Sequence, residues 1–200
     1  MSALKGATTP IYFGPFPVTP QVFHTTPLSF ALVNLKPILP GHVLVSPRRV
    51  VPRVSDLTPA ETSDFFLTVR RVGRMVERVH GATSLNIAIQ DGVQAGQSVA
   101  HVHAHIIPRK AADLDHVGGT DAVYNLLDGE EGDLGKAFKT ADPTAEGDQP
   151  TEVGNGNAAN SGKKSRTPIV DNDAREPRNA EDMKAEAEML AREMENEPLD

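Results

Sequence analysis

The sequence predicts an α+β protein in which an antiparallel sheet packs against helices. Short apolar runs rich in β-branched residues, such as 27–36, alternate with turns that contain glycine or proline. Three histidines, His101, His103 and His105, stand at alternate positions, which is the period of a strand. Between these strand-like segments, residues 59–80 repeat their apolar side chains at helical spacing. Paired strands with one long helix between the pairs are typical of a small α+β fold.

The predicted strands form two antiparallel pairs. The runs 27–36 and 41–49 are separated by a proline-containing turn and predict a hairpin. The run 84–92 alternates apolar and polar residues and leads through a glycine-containing loop into the histidine segment 99–109, which predicts a second pair. Residues 22–24 add one more short strand.

The first predicted helix has clear start and stop signals. Thr58 as N-cap, Pro59 at the first helical position and Glu61 at the third form a capping-box pattern, and Gly81 suits the left-handed residue that ends a helix. Its periodic apolar residues are expected in the core: Phe65, Phe66, Val69, Val72, Met75, Val76 and Val79. Its arginines are expected on a solvated face: Arg70, Arg71, Arg74 and Arg78.

A second helix is predicted at 179–196. This segment consists of good helix formers and places an apolar stripe on one side: Met183, Ala187, Leu190 and Met194. The stripe indicates that the helix docks on the domain or pairs with another chain, and the pattern alone leaves both possibilities open.

Composition divides the 200 residues into a folded part and an acidic insertion. Residues 128–174 are rich in Gly, Asp, Glu, Asn and Pro, so we expect them to be disordered, because they cannot bury enough apolar surface to offset the entropy of ordering. This gives a domain over 1–127, the insertion over 128–174 and a returning helix over 175–200. Residues 1–110 hold 11 of the 20 basic and five of the 27 acidic residues, a net charge of +6, which favours an anionic ligand there.

The sequence has no targeting or membrane-spanning pattern. No apolar run is long enough to span a bilayer, the N-terminus does not resemble a signal peptide, and there are no cysteines. We therefore expect a soluble intracellular protein, cytoplasmic with the nucleus as a second candidate compartment, whose partners include neither membranes nor nucleic acid.

The row of histidines does not suit a single metal ion. On a strand, residues two apart are separated by roughly 6.6 Å and residues four apart by roughly 13 Å, whereas a zinc–nitrogen bond is about 2.0–2.1 Å. His101, His103 and His105 therefore cannot all bind one ion, and we expect no metal site, although two neighbours with a distant third ligand are an alternative. Pro108, which has no N–H, should stop the strand or place it at an edge.

A glycine loop precedes the histidines and suits an anion. Gly92 and Gly96 free the backbone to turn, and Gln97 and Ser98 add uncharged donors. Such a loop alone is usually only a turn. Beside three imidazoles it predicts a phosphate site.

The stretch QDGVQAGQSVAHVHAHIIPR, residues 90–109, resembles the signature of the histidine triad (HIT) superfamily, in which three histidines alternate with apolar residues. More narrowly, it resembles the fragile histidine triad branch, the dinucleoside triphosphate hydrolases. The resemblance covers about residues 11–127 and 175–195. It implies the HIT fold, an antiparallel meander sheet of about five strands with two helices, and a dimer that joins two sheets into one.

The resemblance also assigns roles. His103 would attack the α-phosphorus of diadenosine triphosphate, expel ADP and carry AMP as a phosphoramidate that water hydrolyses. Gln90 would contact the bridging oxygen, and Asn34 would hold the ribose. His42 and His101 would support the site by setting the tautomer of a neighbouring imidazole and packing beneath the phosphates. The remaining catalytic and phosphate-binding groups would be His105 and the loop N–H groups of Gly96, Gln97, Ser98 and Val99.

The resemblance implies a divalent cation, magnesium or manganese, complexed with the substrate, no tightly bound metal, and a homodimer. Two other functions are alternatives. A nucleoside phosphoramidase would carry Asn in place of Gln90 and two glycines in place of Pro108 and Arg109. A nucleotide-binding signalling protein, whose substrate complex is the signal, would use the same residues as the hydrolase.

Limited proteolysis tests the proposed boundaries. If residues 128–174 are disordered, a protease should cut there first, because a chain must be unfolded to enter a protease active site. Deletion of the segment should then leave the domain and its activity nearly unchanged. Resistance of the segment to cleavage, or loss of the domain on deletion, would contradict the expectation, and mass spectrometry of the fragments locates the cuts.

Overall fold

The computed structural model describes residues 9–128 and 177–199 of the chain. The strands are β1 (Tyr12–Phe13), β2 (Phe16–Pro17), β3 (Val22–Thr25), β4 (Ser29–Val33), β5 (Val43–Pro47), β6 (Ser84–Ala88) and β7 (Ala104–Arg109). The helices are α1 (Pro59–His80), α2 (Ala122–Asp128) and α3 (Ala180–Glu195). None of the helices in the described ranges is long and apolar enough to cross a membrane.

Five strands form one antiparallel sheet in the order β3-β4-β5-β7-β6. β4 pairs with β5, and β6 pairs with β7. Both predicted strand pairs and the short predicted strand at residues 22–24 are therefore confirmed. β1 and β2 form a separate two-stranded hairpin.

The histidine row does not lie on one strand, contrary to the sequence-based interpretation. β7 begins at Ala104, so only His105 belongs to it, and His101 and His103 lie in the segment before it. The pairing of β7 with the neighbouring strand β5 ends at Ala104, which lies opposite Val45, and the Val102 N–H donates instead to the Val51 carbonyl at 2.8 Å. All three histidines are buried, with at most 1% of their surface exposed.

Pro108 does not stop β7, which continues to Arg109. On one side, Pro108 is paired with Leu85 of β6. On the other side, the pairing with β5 reaches only from Val45 to Val43, which lies opposite Ile106. The strand is therefore an edge at Pro108, the position at which a proline without an N–H is tolerated.

α1 starts and ends at the predicted signals. The Thr58 hydroxyl accepts a hydrogen bond from the Glu61 N–H, the Glu61 carboxylate accepts one from the Thr58 N–H, and Gly81 has φ of +57°. The placement of Phe66 in the core was wrong, because the residue is 45% exposed. Because successive residues of a helix point roughly 100° apart, Phe65 points into the core and its neighbour Phe66 does not.

The C-terminal helix α3 docks on the domain itself. Its predicted apolar stripe is buried: Met183, Ala187, Leu190 and Met194. Arg71 of α1 donates to the Glu197 carbonyl at 2.9 Å, Arg74 pairs with the Glu197 carboxylate at 3.1 Å, and Arg78 pairs with Glu193 at 2.7 Å. The expectation of a merely solvated arginine face was therefore wrong for these three residues, which hold the end of α3.

The short helix α2 covers the opposite face of the sheet from α1, and the sequence did not reveal it. Ile106 belongs to the main core and Ile107 to a second cluster, as alternation along a strand requires. The buried members of this second cluster are Ile107, Leu114, Ala122, Val123, Leu126 and Leu127, and the side chains packed against it include Ile38 and Leu39.

The described residues reach the predicted domain limits only on the two sides of the insertion. Asp128, assigned to the disordered insertion, is instead the last residue of α2. Residues 129–174 lie outside the described residues, so their predicted disorder stays a prediction. The returning helix starts at Ala180, within the predicted range.

Candidate active site

The candidate site centres on three buried imidazoles. The turn before β5 carries His42, the segment before β7 carries His103, and β7 itself carries His105. The ring centres of His103 and His105 are 5.0 Å apart, and those of His42 and His105 are 5.2 Å apart. The fold therefore brings together the histidines that the resemblance assigned to the nucleophile, the phosphate donor and one of the two supporting positions.

A chain of hydrogen bonds fixes which nitrogen of His42 and His105 carries the hydrogen. The main-chain N–H of Ile38 donates to Nδ1 of His42 at 3.0 Å. A neutral imidazole has one N–H and one acceptor nitrogen, so the hydrogen of His42 is on Nε2. This Nε2 donates to Nδ1 of His105 at 2.9 Å, which places the hydrogen of His105 on its own Nε2. That nitrogen is buried and has no hydrogen-bond partner among residues 9–128 and 177–199.

His103 has the opposite tautomer. Its Nδ1 lies 2.8 Å from the carbonyl oxygen of His101. Because a carbonyl only accepts, Nδ1 must carry the hydrogen, and Nε2 of the neutral ring has the free lone pair. An imidazole nitrogen with a lone pair is a nucleophile at neutral pH. The site thus holds an acceptor-type nitrogen on His103 and a donor-type nitrogen on His105.

His101 uses both of its ring nitrogens within the protein. The Gly14 N–H donates to its Nδ1 at 3.0 Å, and its Nε2 donates to the Pro47 carbonyl at 2.8 Å. The ring also stacks on Phe13, with ring centres 5.6 Å apart. His101 therefore joins the N-terminal hairpin to the end of β5, and its carbonyl orients His103. This geometry agrees with a supporting position.

Burial keeps these rings neutral at neutral pH. Desolvation lowers the pKa of His103, and the hydrogen bond to the His101 carbonyl opposes this shift in part. Desolvation lowers the pKa of His105 well below its ordinary value. Protonation of His103 or His42 would lower it further, because the positive charges repel each other. The pKa of His101 falls to about 4, chiefly because of burial. The tautomers derived for the neutral rings are therefore the relevant ones.

The loop before the histidines is folded on itself. The Gly96 N–H donates to the Val93 carbonyl at 3.0 Å, and the Gln97 N–H donates to the Gly92 carbonyl at 3.2 Å. The Gln97 side-chain amide donates to the Pro52 carbonyl at 2.8 Å. In this structure, the main-chain N–H groups of Gly96 and Gln97 have partners within the loop, and the Gln97 side chain has one outside it.

The two remaining loop positions differ in their surroundings. Val99 is buried, and its side chain packs so closely on Gly14 that a Cβ there would lie 2.7 Å away. Any contact of Val99 with a ligand would therefore go through its main chain. Ser98 is half-buried next to it. The binding roles of these loop residues stay predictions.

Gln90 lies under this loop and is buried. Its Nε2 donates to the Leu127 carbonyl at 3.1 Å, and its Oε1 is buried without a partner in the described part of the chain. A Cβ on Gly96 would lie only 2.6 Å from Nε2 of Gln90, and Gly96 has φ of +87°. A glycine is therefore needed at position 96 both for the backbone conformation and for the space that Gln90 occupies.

Asn34 contacts His42. Its Oδ1 accepts a hydrogen bond from the Lys36 N–H at 3.0 Å, and its Nδ2 lies 3.1 Å from Nε2 and 3.4 Å from Nδ1 of His42. Both ring nitrogens of His42 already have hydrogen-bond partners. The amide nitrogen of Asn34 therefore packs against the ring and donates no hydrogen bond to it. Asn34 therefore supports His42 in this structure, and its contact with a ribose stays a prediction.

Three groups at the site were missed from the sequence. Phe13 meets the edge of His103, with ring centres 5.1 Å apart, and an aromatic residue close to a glycine in the N-terminal segment was the only available signal. Ile38 and Leu127 act through main-chain atoms, so their side chains carry no signal for these contacts. Within residues 9–128 and 177–199, no group of three or more His, Cys, Asp or Glu side chains is arranged to hold a metal ion.

The comparisons with known proteins agree on one family. The HIT domain matches residues 17–112. The asymmetrical bis(5'-nucleosyl)-tetraphosphatase of Schizosaccharomyces pombe is 48% identical over 182 residues, which are 90% of this chain and 92% of that protein. The bifunctional bis(5'-adenosyl)-triphosphatase/adenylylsulfatase of Arabidopsis thaliana is 55% identical over 123 residues, 61% of this chain and 67% of that protein.

Solved structures give the same answer. The NitFhit protein of Caenorhabditis elegans is 46% identical with a TM-score of 0.52, over 62% of this chain and 31% of that one. The diadenosine triphosphate hydrolase of Plasmodium falciparum, solved with cyclomarin A, is 34% identical with a TM-score of 0.53, over 64% of this chain and 87% of that one.

Proposed function

This chain belongs to the HIT domain family, and we propose that it is a hydrolase that cleaves dinucleoside polyphosphates. Its proposed substrate is diadenosine triphosphate, which it splits into AMP and ADP. Relatives from Arabidopsis thaliana and Dictyostelium discoideum, 55% and 51% identical, are named as bis(5'-adenosyl)-triphosphatases. The Schizosaccharomyces pombe relative, named as a tetraphosphatase, matches along nearly the whole chain, so diadenosine tetraphosphate is the second substrate to test.

One observation carries the proposal: the hydrogen-bond partners of two neighbouring imidazoles assign them opposite tautomers. The lone pair on Nε2 of His103 can attack phosphorus, and the Nε2–H of His105 can donate to a phosphate oxygen. Cleavage at phosphorus needs both a nucleophile and stabilisation of the charge that builds on the oxygens. Neither group needs to lose or gain a proton before the reaction begins.

The first proposed step forms a bond between Nε2 of His103 and the α-phosphorus. The bond between that phosphorus and the oxygen of the leaving ADP breaks, and the electron pair leaves with ADP. The imidazole then carries positive charge, which the His101 carbonyl stabilises through its contact with Nδ1–H. Because the carbonyl is fixed in the buried site, it needs no reorganisation when this charge appears.

The second proposed step regenerates the enzyme. Water attacks the same phosphorus, the nitrogen–phosphorus bond breaks, and the electron pair returns to Nε2 of His103. The water oxygen ends in AMP, and its surplus proton goes to solvent. Over both steps, one diadenosine triphosphate and one water give one AMP and one ADP. A magnesium or manganese ion would enter as a complex with the substrate.

We predict that His103→Ala loses turnover and keeps nucleotide binding. Loss of the nucleophile should lower the rate by more than about 1,000-fold, since it acts on the transition state and adds little to substrate affinity. The measurements are chromatography of the products from diadenosine tri- and tetraphosphate with magnesium, and an alkaline quench with radiolabelled substrate, because a phosphoramidate is comparatively stable in base.

The matched control is His116→Ala, which removes an exposed histidine. It should leave both rate and adduct unchanged. In the wild type, label should map to the peptide that contains His103. Persistence of both substrates in the wild-type reaction would contradict the hydrolase proposal, and near-normal turnover by His103→Ala would contradict the assignment of the nucleophile.

We also propose that the protein is a homodimer that pairs through β6. This strand is outermost in the sheet, none of its residues is buried, and Ile87 is 51% exposed. An exposed edge strand with an apolar side chain is a template for pairing with another strand. A second copy would satisfy the unpaired main-chain groups and cover Ile87.

Sedimentation equilibrium tests this proposal. The wild-type protein should sediment as a dimer at micromolar concentration, and Ile87→Lys should shift it toward the monomer, because a charge at the centre of the contact must lose its water. Glu188→Lys, an exposed charge change on α3, should leave the dimer intact. A monomeric wild type would contradict the proposal.

A further inference from the structure

Gln90 is held by a helix that no site motif includes. The Leu127 carbonyl, in the last turn of α2, accepts the hydrogen bond from Nε2 of Gln90 at 3.1 Å. On the other side of the amide lies Gly96, where a Cβ would come within 2.6 Å of Nε2 of Gln90. The Gln90 side chain is thus enclosed between the loop that precedes the histidines and the end of α2.

The Leu127 contact selects one of the two orientations of this amide. A carbonyl oxygen accepts only, so the NH₂ end of Gln90 must face Leu127 and the Oε1 end must face away. The reverse orientation would place two oxygens against each other in a buried site, where an unmade hydrogen bond is costly. The amide then keeps one N–H and the buried, unpartnered Oε1 for other contacts. The N–H suits a phosphate oxygen, and Oε1 suits a water molecule or hydroxyl group.

The position of Leu127 is set by packing and not by the site. Leu126 and Leu127 are buried in the second cluster. The same cluster contains Ile107, which follows His105 by two residues on β7. Ile38 packs against the same cluster. The main-chain N–H of Ile38 is the group that begins the hydrogen-bond chain to His105. One apolar cluster therefore supports two polar contacts of the site.

We propose that Leu127 is a positioning residue of the active site: its main-chain carbonyl fixes the orientation of the Gln90 amide, and α2 thereby takes part in catalysis. The inference rests on the proposed function, because it assigns the amide to the phosphate-transfer site. It adds a helix 37 residues away in sequence to the groups on which the reaction depends. Leu127 itself touches no substrate.

A double-mutant cycle separates positioning from general support of the fold. Leu127→Ala removes the buried side chain that holds the carbonyl in place. In the wild-type background it should lower the single-turnover rate between about 10- and 100-fold, since small displacements of a catalytic group have effects of this size. In the Gln90→Ala background it should change the rate by less than about twofold, because the group that it positions is gone. Asn125→Ala, on the exposed side of the same helix, should leave both backgrounds unchanged.

Nuclear magnetic resonance of the Gln90 side chain provides a readout that does not depend on activity. In the wild type, one Nε2 proton should exchange slowly with solvent, and this protection should be lost in Leu127→Ala and kept in Asn125→Ala. If Leu127→Ala does not fold, Leu126→Ala is the second variant, because it loosens the packing of the same end of α2. The resonances are assigned by their disappearance in Gln90→Ala.

The outcomes are distinct. Fast exchange of the Gln90 amide in the wild type would overturn the proposal, and so would an equal loss of rate on Leu127→Ala in both Gln90 backgrounds. A protected amide together with a loss of rate that requires Gln90 supports it. If the wild type hydrolyses no dinucleoside polyphosphate, the proposed function fails, and the exchange measurement still decides whether Leu127 orients Gln90.

Discussion

The site depends on the hydrogen bond between His42 and His105, because this contact sets which nitrogen of His105 can donate. The Ile38 N–H donates to Nδ1 of His42, so the hydrogen of that ring is on Nε2, and because this Nε2–H donates to Nδ1 of His105, the hydrogen of His105 is on its Nε2. Burial is what makes the choice firm. A solvated histidine exchanges tautomers and protonates near neutral pH, whereas the lowered pKa of His105 keeps it neutral.

His103 depends on the same principle with the opposite result. Its Nδ1–H donates a hydrogen bond to a carbonyl, so the other ring nitrogen, Nε2, keeps its lone pair. The carbonyl belongs to His101, whose own ring is tied to Gly14 and Pro47. The three histidines of the motif therefore have three separate functions: one holds the backbone, one is the proposed nucleophile and one is the proposed donor. Their spacing places them in a cluster, and their main-chain partners make them different.

The sequence predicted the sheet, the first helix and the docking stripe of the last helix, because periodicity and capping are local properties. It predicted the site through the resemblance of residues 90–109 to one family. It failed where a partner distant in the chain decides the outcome. The ladder between β5 and β7 ends at Val45 and Ala104, Arg71 of α1 donates to the Glu197 carbonyl just after α3, and Leu127 contacts Gln90 through a carbonyl that any residue would have. None of these partners can be identified from local pattern.

The central claim is that His103 and His105 have opposite tautomers, and histidine nitrogen resonances measure this directly. A long-range proton–nitrogen correlation spectrum of the ¹⁵N-labelled protein at neutral pH distinguishes protonated from unprotonated ring nitrogens, and His→Ala variants assign each ring. The structure predicts a hydrogen on Nδ1 and a bare Nε2 for His103, and a hydrogen on Nε2 for both His42 and His105. A hydrogen on Nε2 of His103, or a bare Nε2 on His105, would contradict this account of the site.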